Sequence, residues 1–137
     1  MAVVAESGCV GSSANVGDYT SKADKTIAVV RSAVQTVVLS VQIIDDGGAF
    51  DPYLSRVIGQ AETDAVSAVG SFDVVQPPST AADQVRTDLH AVTDDAIDVL
   101  SDARIAIRRS DDDAVVALSE RLTASADALE AFKDAHA

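Results

Sequence analysis

The stretch TIAVVRSAVQTVVLSVQII, residues 26–44, decides the fold class. Ile27, Val30, Val34, Val37, Val41 and Ile44 recur at alternating steps of three and four. That spacing lays one apolar seam along a helix; a half-buried strand would repeat every second residue. The stretch is rich in Val and Ile, which favour strands, but the run is long and its period is helical. Arg31, Gln35 and Gln42 interrupt it, which argues against a membrane span. A helix is therefore expected over residues 21–46, with Thr20/Ser21 and Asp24 resembling a capping box. Asp45-Asp46-Gly47-Gly48 ends it, since Gly suits a left-handed C-terminal cap. Val38, Leu39 and Ile43 widen the seam. Leu39 and Ile43 lie on a flank near Ala28, and burial is expected for both, within the chain or against a second copy. A homodimer through this apolar face follows from the second case.

Working outward, Asp51-Pro52 restarts a helix, with Asp as N-cap and Pro at the first helical position. Its inner face reads Leu54, Val57, Ile58, Ala61, Ala65, Ala68, Val69 and Phe72. The alanines would admit a neighbouring helix closely. Pro77-Pro78 marks an extended connection. Thr80 with Asp83 resembles a second capping box. The third helix carries Val85, Leu89, Val92, Ala96, Val99, Ala103 and Ile107, and ends in Arg108-Arg109, cations at the negative end of the dipole. Ser110, read as an N-cap, and Asp111–Asp113 open the fourth helix. It runs to about Lys133 with Val115, Leu118, Leu122, Leu129 and Phe132 inward. Short connections make neighbours antiparallel. The expectation is an all-α fold, an antiparallel up-down-up-down four-helix bundle over residues 18–137, after an N-terminal arm over 1–17.

Composition limits the function. The 137 residues suit one domain, and 47% hydrophobic positions are too many for a disordered chain. Ten Lys and Arg stand against 22 Asp and Glu, a net charge of −12. Nucleic acid is excluded as a partner, because neutralising phosphates needs a broad basic face. Asp outnumbers Glu by 18 to four. Asp is the poorer helix former, so part of this bias is explained at helix starts, where it is favoured.

The most structured polar surface lies on the third helix. Asp88, Asp95, Asp98 and Asp102 fall on one flank of its seam; Arg86, His90, Arg104 and Arg108 fall on the other. One reading is a cleft wall in which His90, Arg86, Arg104 and Arg108 bind a small anion. The other is a solvated helix whose flanks pair with oppositely charged neighbours. His90 and Asp94 stand four apart and could orient a base, but no nucleophile completes a catalytic set, so no enzyme is expected. Di-metal bundles need Glu-x-x-His pairs. None of Glu62, Glu120 or Glu130 has His three residues later. The spacing of Asp111–Asp113 is not that of a calcium loop. No haem attachment motif or phosphate-binding Gly loop is present, so no metal or cofactor is expected.

Cys9 is the one cysteine, so no internal disulfide can form. Gly8-Cys9-Val10-Gly11-Ser12-Ser13 resembles the cleavage region of bacterial lipoproteins, in which the cysteine is acylated and a Ser/Gly tether follows. Glu6 departs from that pattern, which has an apolar residue there. Met1–Ala5 is shorter than a signal sequence. Ala103–Arg109 (ARIAIRR) ahead of an acidic helix start is similar to small exported lipoproteins of actinobacteria, a family of uncharacterised function. The resemblance implies an extracytoplasmic protein, membrane-bound through lipid on Cys9, whose partner is a protein or a cell-envelope component. A cytoplasmic protein is the competing expectation. The expected function is a non-enzymatic binding or structural module. The alternative is a ligand-sensing bundle holding a small anion between helices, resembling chemoreceptor sensor domains.

Overall fold

A computed structural model describes residues 13–48 and 52–137. They form α1 (Val16–Asp45), α2 (Pro52–Asp73), α3 (Thr80–Arg108), α4 (Asp112–Val116) and α5 (Ser119–Ala135). No strand occurs among the described residues. The fold is the expected all-α four-helix bundle, with its fourth limb divided into α4 and α5.

The pairings set the helix directions. Tyr19 near the start of α1 stacks on Phe72 near the end of α2. Arg86 reaches Asp73, whereas Arg104 reaches Glu62. Between α3 and α5, Asp88 pairs with His136 and Asp102 with Arg121. In each case residue numbers rise on one helix and fall on the other, so neighbours are antiparallel. α2 and α5 each pack against both α1 and α3, and α1 also touches α3 across the middle. Small residues make this central contact close: Ala23 on α1 and Ala82, Ala96 and Ala103 on α3 are fully buried. Leu89, Leu100, Leu122, Leu129 and Ile58 fill the bulkier layers. Each such side chain contributes about 1.5–3 kcal/mol relative to exposure.

The seam of α1 is buried as its spacing requires, from Ile27 through Ile44. Its start lies earlier than expected. Asn15 is the N-cap, and its side chain accepts the Asp18 amide at 2.9 Å. About one and a half further turns are thereby added, and Tyr19 continues the seam that Ala23 already opens, both being fully buried. Residues 16 and 17 thus belong to the helix, not to the arm. Residues 1–12, with Cys9, lie outside the described residues, as does Asp51, the expected cap of α2. α1 closes in a Schellman motif: Gly48 N donates to Ile43 O at 2.9 Å and Gly47 N to Ile44 O at 3.1 Å. Both glycines are needed. Gly47 has φ +85°, and a Cβ on Gly48 would sit 2.5 Å from the Ile43 carbonyl oxygen.

Three further details differ from expectation. The cap of α3 is Ser79, one residue before Thr80. Ser110 is not a cap. It closes α3 in the same motif as Gly47, at φ 53°, and Asp111 caps α4 by accepting Ala114 N at 3.0 Å. The fourth limb breaks at Ala117–Leu118. There Leu118 N turns to Val115 O, three residues back, and the Ser119 hydroxyl takes Val116 O at 2.7 Å. That hydroxyl donates to the carbonyl at the break, where neither Gly nor Pro marks it. On α3, Val92 is half-buried and Thr93 fully buried; the threonine hydroxyl is satisfied by Leu89 O at 2.9 Å.

The chain does not bury the outer flank of α1. Leu39 is 61% exposed, Ile43 49% and Val29 43%. The expectation of burial within the chain is therefore wrong: α2 and α5 cover the seam but not its widened edge. α1 is long and apolar enough to cross a membrane by length and composition. Its seam residues nevertheless form the bundle core, as the central helix of a water-exposed protein would.

Candidate functional site

The four candidate ligand residues of α3 do not converge. Arg86 and His90 lie in its first half, Arg104 and Arg108 near its end. Eighteen residues separate Arg86 from Arg104, about 27 Å of helix.

The first pair faces the end of α2. Arg86 Nη2 donates to the Asp73 backbone carbonyl at 2.7 Å and stands 3.8 Å from the Asp73 carboxylate. His90 Nε2 lies 2.8 Å from Asp73 Oδ1, much closer than its Nδ1 is to Asp94, at 3.9 Å. The sequence pointed to Asp94 because it is four residues away. Asp73 is brought in by the α2–α3 turn, and only its position beside the Pro77-Pro78 connection hinted at that. Both ring nitrogens of His90 thus face carboxylates, and none of the main surface grooves is lined by His90 or Arg86. Beside this cluster, the buried Tyr19 phenol is pushed above its ordinary pKa of 10.0 by desolvation. The Arg86 charge opposes the rise without overcoming it, and Asp73 and Asp83 add to it.

Two of the four carboxylates on the acidic flank of α3 are paired. Arg121 on α5 donates to Asp102 at 2.7 Å, and His136 lies 3.2 Å from Asp88. Neighbouring helices thus supply opposite charges to part of each flank, while Arg108, Asp95 and Asp98 form no ion pair among the described residues. No group of three or more His, Cys, Asp and Glu among the described residues could hold a metal ion.

Two surface grooves border α2. The first, about 450 Å³, runs between α1 and α2 and is bounded by Ala28, Val29, Ala33, Val57 and Ala61. It adjoins the exposed flank of α1. The second, about 650 Å³, runs between α2 and α3 and holds Arg56, Arg104 and Arg108 with Glu62. Arg104 is fixed by Glu62 through Nε and by Ser101 through Nη2 at 3.4 Å. Arg56 went unremarked in the sequence. It sits on α2 without a charged partner at helical spacing, and only the packing of α2 on α3 brings it to this groove. The chain matches no protein-family model, no curated protein and no solved structure.

Proposed function

We propose that this chain is a non-enzymatic helical-bundle module that self-associates through the outer face of α1, held outside the cell membrane by lipid on Cys9. The observation that carries the self-association is the exposure of Leu39 and Ile43 on a charge-free stretch of α1, with Val29 exposed about three turns before Leu39. From Ser32 to Ile44 α1 contains no charged residue, on a chain whose net charge is −12. A two-fold contact sets a surface against its own copy. Acidic faces repel in that arrangement; an uncharged apolar face does not. The occupant favoured on charge grounds is therefore a second copy of this chain.

The magnitude indicates a weak contact. Covering a half-exposed Val, Leu or Ile gains about 1 kcal/mol. Three such residues on each of two copies give roughly 6 kcal/mol before the costs of association, so the dimer is no tighter than about 40 μM and those costs move it toward the millimolar range. A membrane tether makes such a contact effective, because it raises the local concentration of identical copies. The Gly8-Cys9-Val10-Gly11-Ser12 segment would serve as that tether.

The anchor is tested by intact-mass measurement of Cys9 in the membrane fraction. Acylation is expected, and an unmodified thiol in a protein recovered from the cytosol would overturn the anchor. Self-association is tested on the untethered chain in solution.

A further inference from the structure

We infer that the groove between α2 and α3 is a binding site for a small phosphomonoester, with Arg56, Arg104 and Arg108 as its phosphate clamp. Three guanidinium groups line it against one carboxylate, Glu62, so it is a cationic recess on an acidic chain. Glu62 is already engaged with Arg104. That pairing neutralises one charge and holds the Arg104 side chain in place. Arg56 and Arg108 form no ion pair among the described residues. Two unpaired guanidinium groups match the charge of one phosphomonoester, about −1.5 to −2 at neutral pH. The planar fork of Arg also suits two phosphate oxygens at once.

Helix stability does not account for this grouping. Arg108 ends α3, where a cation favours the dipole. Arg56 stands one turn inside the start of α2, where the dipole offers a cation nothing. Packing α2 on α3 then brings like charges to one recess, which an anion would relieve.

The rest of the groove suits a small hydroxylated body. It is open to solvent, with about 650 Å³ of space, room for a small ligand held from one side. Ser55 and Ser67 add hydroxyls to its wall. Gly59 also lies on the groove, and a Cβ there would meet nothing within 4 Å. The missing side chain leaves space that helix packing does not require.

The test is calorimetric titration of the full chain at low ionic strength with inorganic phosphate, glucose 6-phosphate and succinate. Glucose 6-phosphate should bind, and succinate should bind at least about tenfold more weakly. Arg56→Gln and Arg108→Gln should each weaken binding about tenfold. Arg109→Gln removes an equal charge just outside the groove and should change it less than about twofold. Gly59→Leu fills the groove without altering charge and should abolish binding. If Gly59→Leu fails to fold, the three arginine variants decide. No binding of either phosphate, equal losses in Arg108→Gln and Arg109→Gln, or succinate binding as tightly as glucose 6-phosphate would overturn the assignment. The readout is ligand binding, so it does not depend on whether the chain self-associates.

Discussion

Replacing Tyr19 by Phe should stabilise the protein, the reverse of the usual effect of removing a buried hydroxyl. Tyr19 is fully buried, its ring 4.9 Å from that of Phe72 at 49°. Its phenol oxygen is enclosed and has no partner at good hydrogen-bond geometry, the Arg86 guanidinium being the one group near enough to act on it as a donor. A buried polar group left unpaired costs about 1–3 kcal/mol. Removing one oxygen leaves a void of roughly 20 Å³, which costs about 0.5 kcal/mol at ~24 cal/mol per Å³. The balance is a gain of about 0.5–2.5 kcal/mol, of which the nearby Arg86 favours the lower part, about 0.5–1.5 kcal/mol. For a domain of this size that raises Tm by about 2–5 °C. Urea unfolding followed by far-ultraviolet circular dichroism would show a higher midpoint at unchanged slope. A loss of about 1 kcal/mol or more would refute the reasoning, since it would mean that the hydroxyl is satisfied in the native protein.

Other expectations follow from the same geometry. Because burial raises the Tyr19 phenol above 10.0, the fold holds its neutral form. Its stabilising contribution is complete below about pH 10 and is lost as pH rises through the raised native value, where the unfolded chain is already ionised. In a Tyr53→Phe background Tyr19 is the sole tyrosine, so its phenolate absorbance should appear together with loss of helical dichroism. Ionisation centred at the ordinary value with the helices intact would contradict this. Asp111→Ala removes the acceptor of Ala114 N and should cost about 1 kcal/mol in urea unfolding. No change would mean that the cap is redundant. Gly59→Ala should add about 0.5–1 kcal/mol, since its Cβ meets nothing and the helix entropy cost falls. Destabilisation would show a close approach at that point.

The bundle was legible because its seams keep strict helical spacing. Every seam position of α1 from Ile27 to Ile44 is buried, and Gly47-Gly48 stops the helix as its composition implies. The start of α1 was less legible. Tyr19 and Ala23 continue the seam, but they lie among polar residues that masked the period. The break at Ala117–Leu118 left no signature, since neither Gly nor Pro stands there and serine back-bonds also occur in the unbroken α1 and α2. The charged flanks of α3 were visible as flanks. Their partners Asp73, Glu62, Arg121 and His136 were not, since helix spacing reports only contacts within one helix. Arg56 was missed for the same reason: its neighbours in the groove come from α3. Leu39 and Ile43 stood out as lying off the seam, and their exposure leaves burial against a second copy as the remaining half of that expectation.

The exposed flank of α1 is the central claim, and sedimentation equilibrium of the untethered chain tests it most directly. The wild-type mass should rise with concentration from 14.1 kDa toward twice that value over the micromolar-to-millimolar range. A Leu39→Glu, Ile43→Glu double variant should keep the helical dichroism, because both side chains are exposed, and remain at 14.1 kDa throughout. A wild-type chain that stays at 14.1 kDa at the highest concentration, or a double variant that dimerises as well as the wild type, would contradict the account.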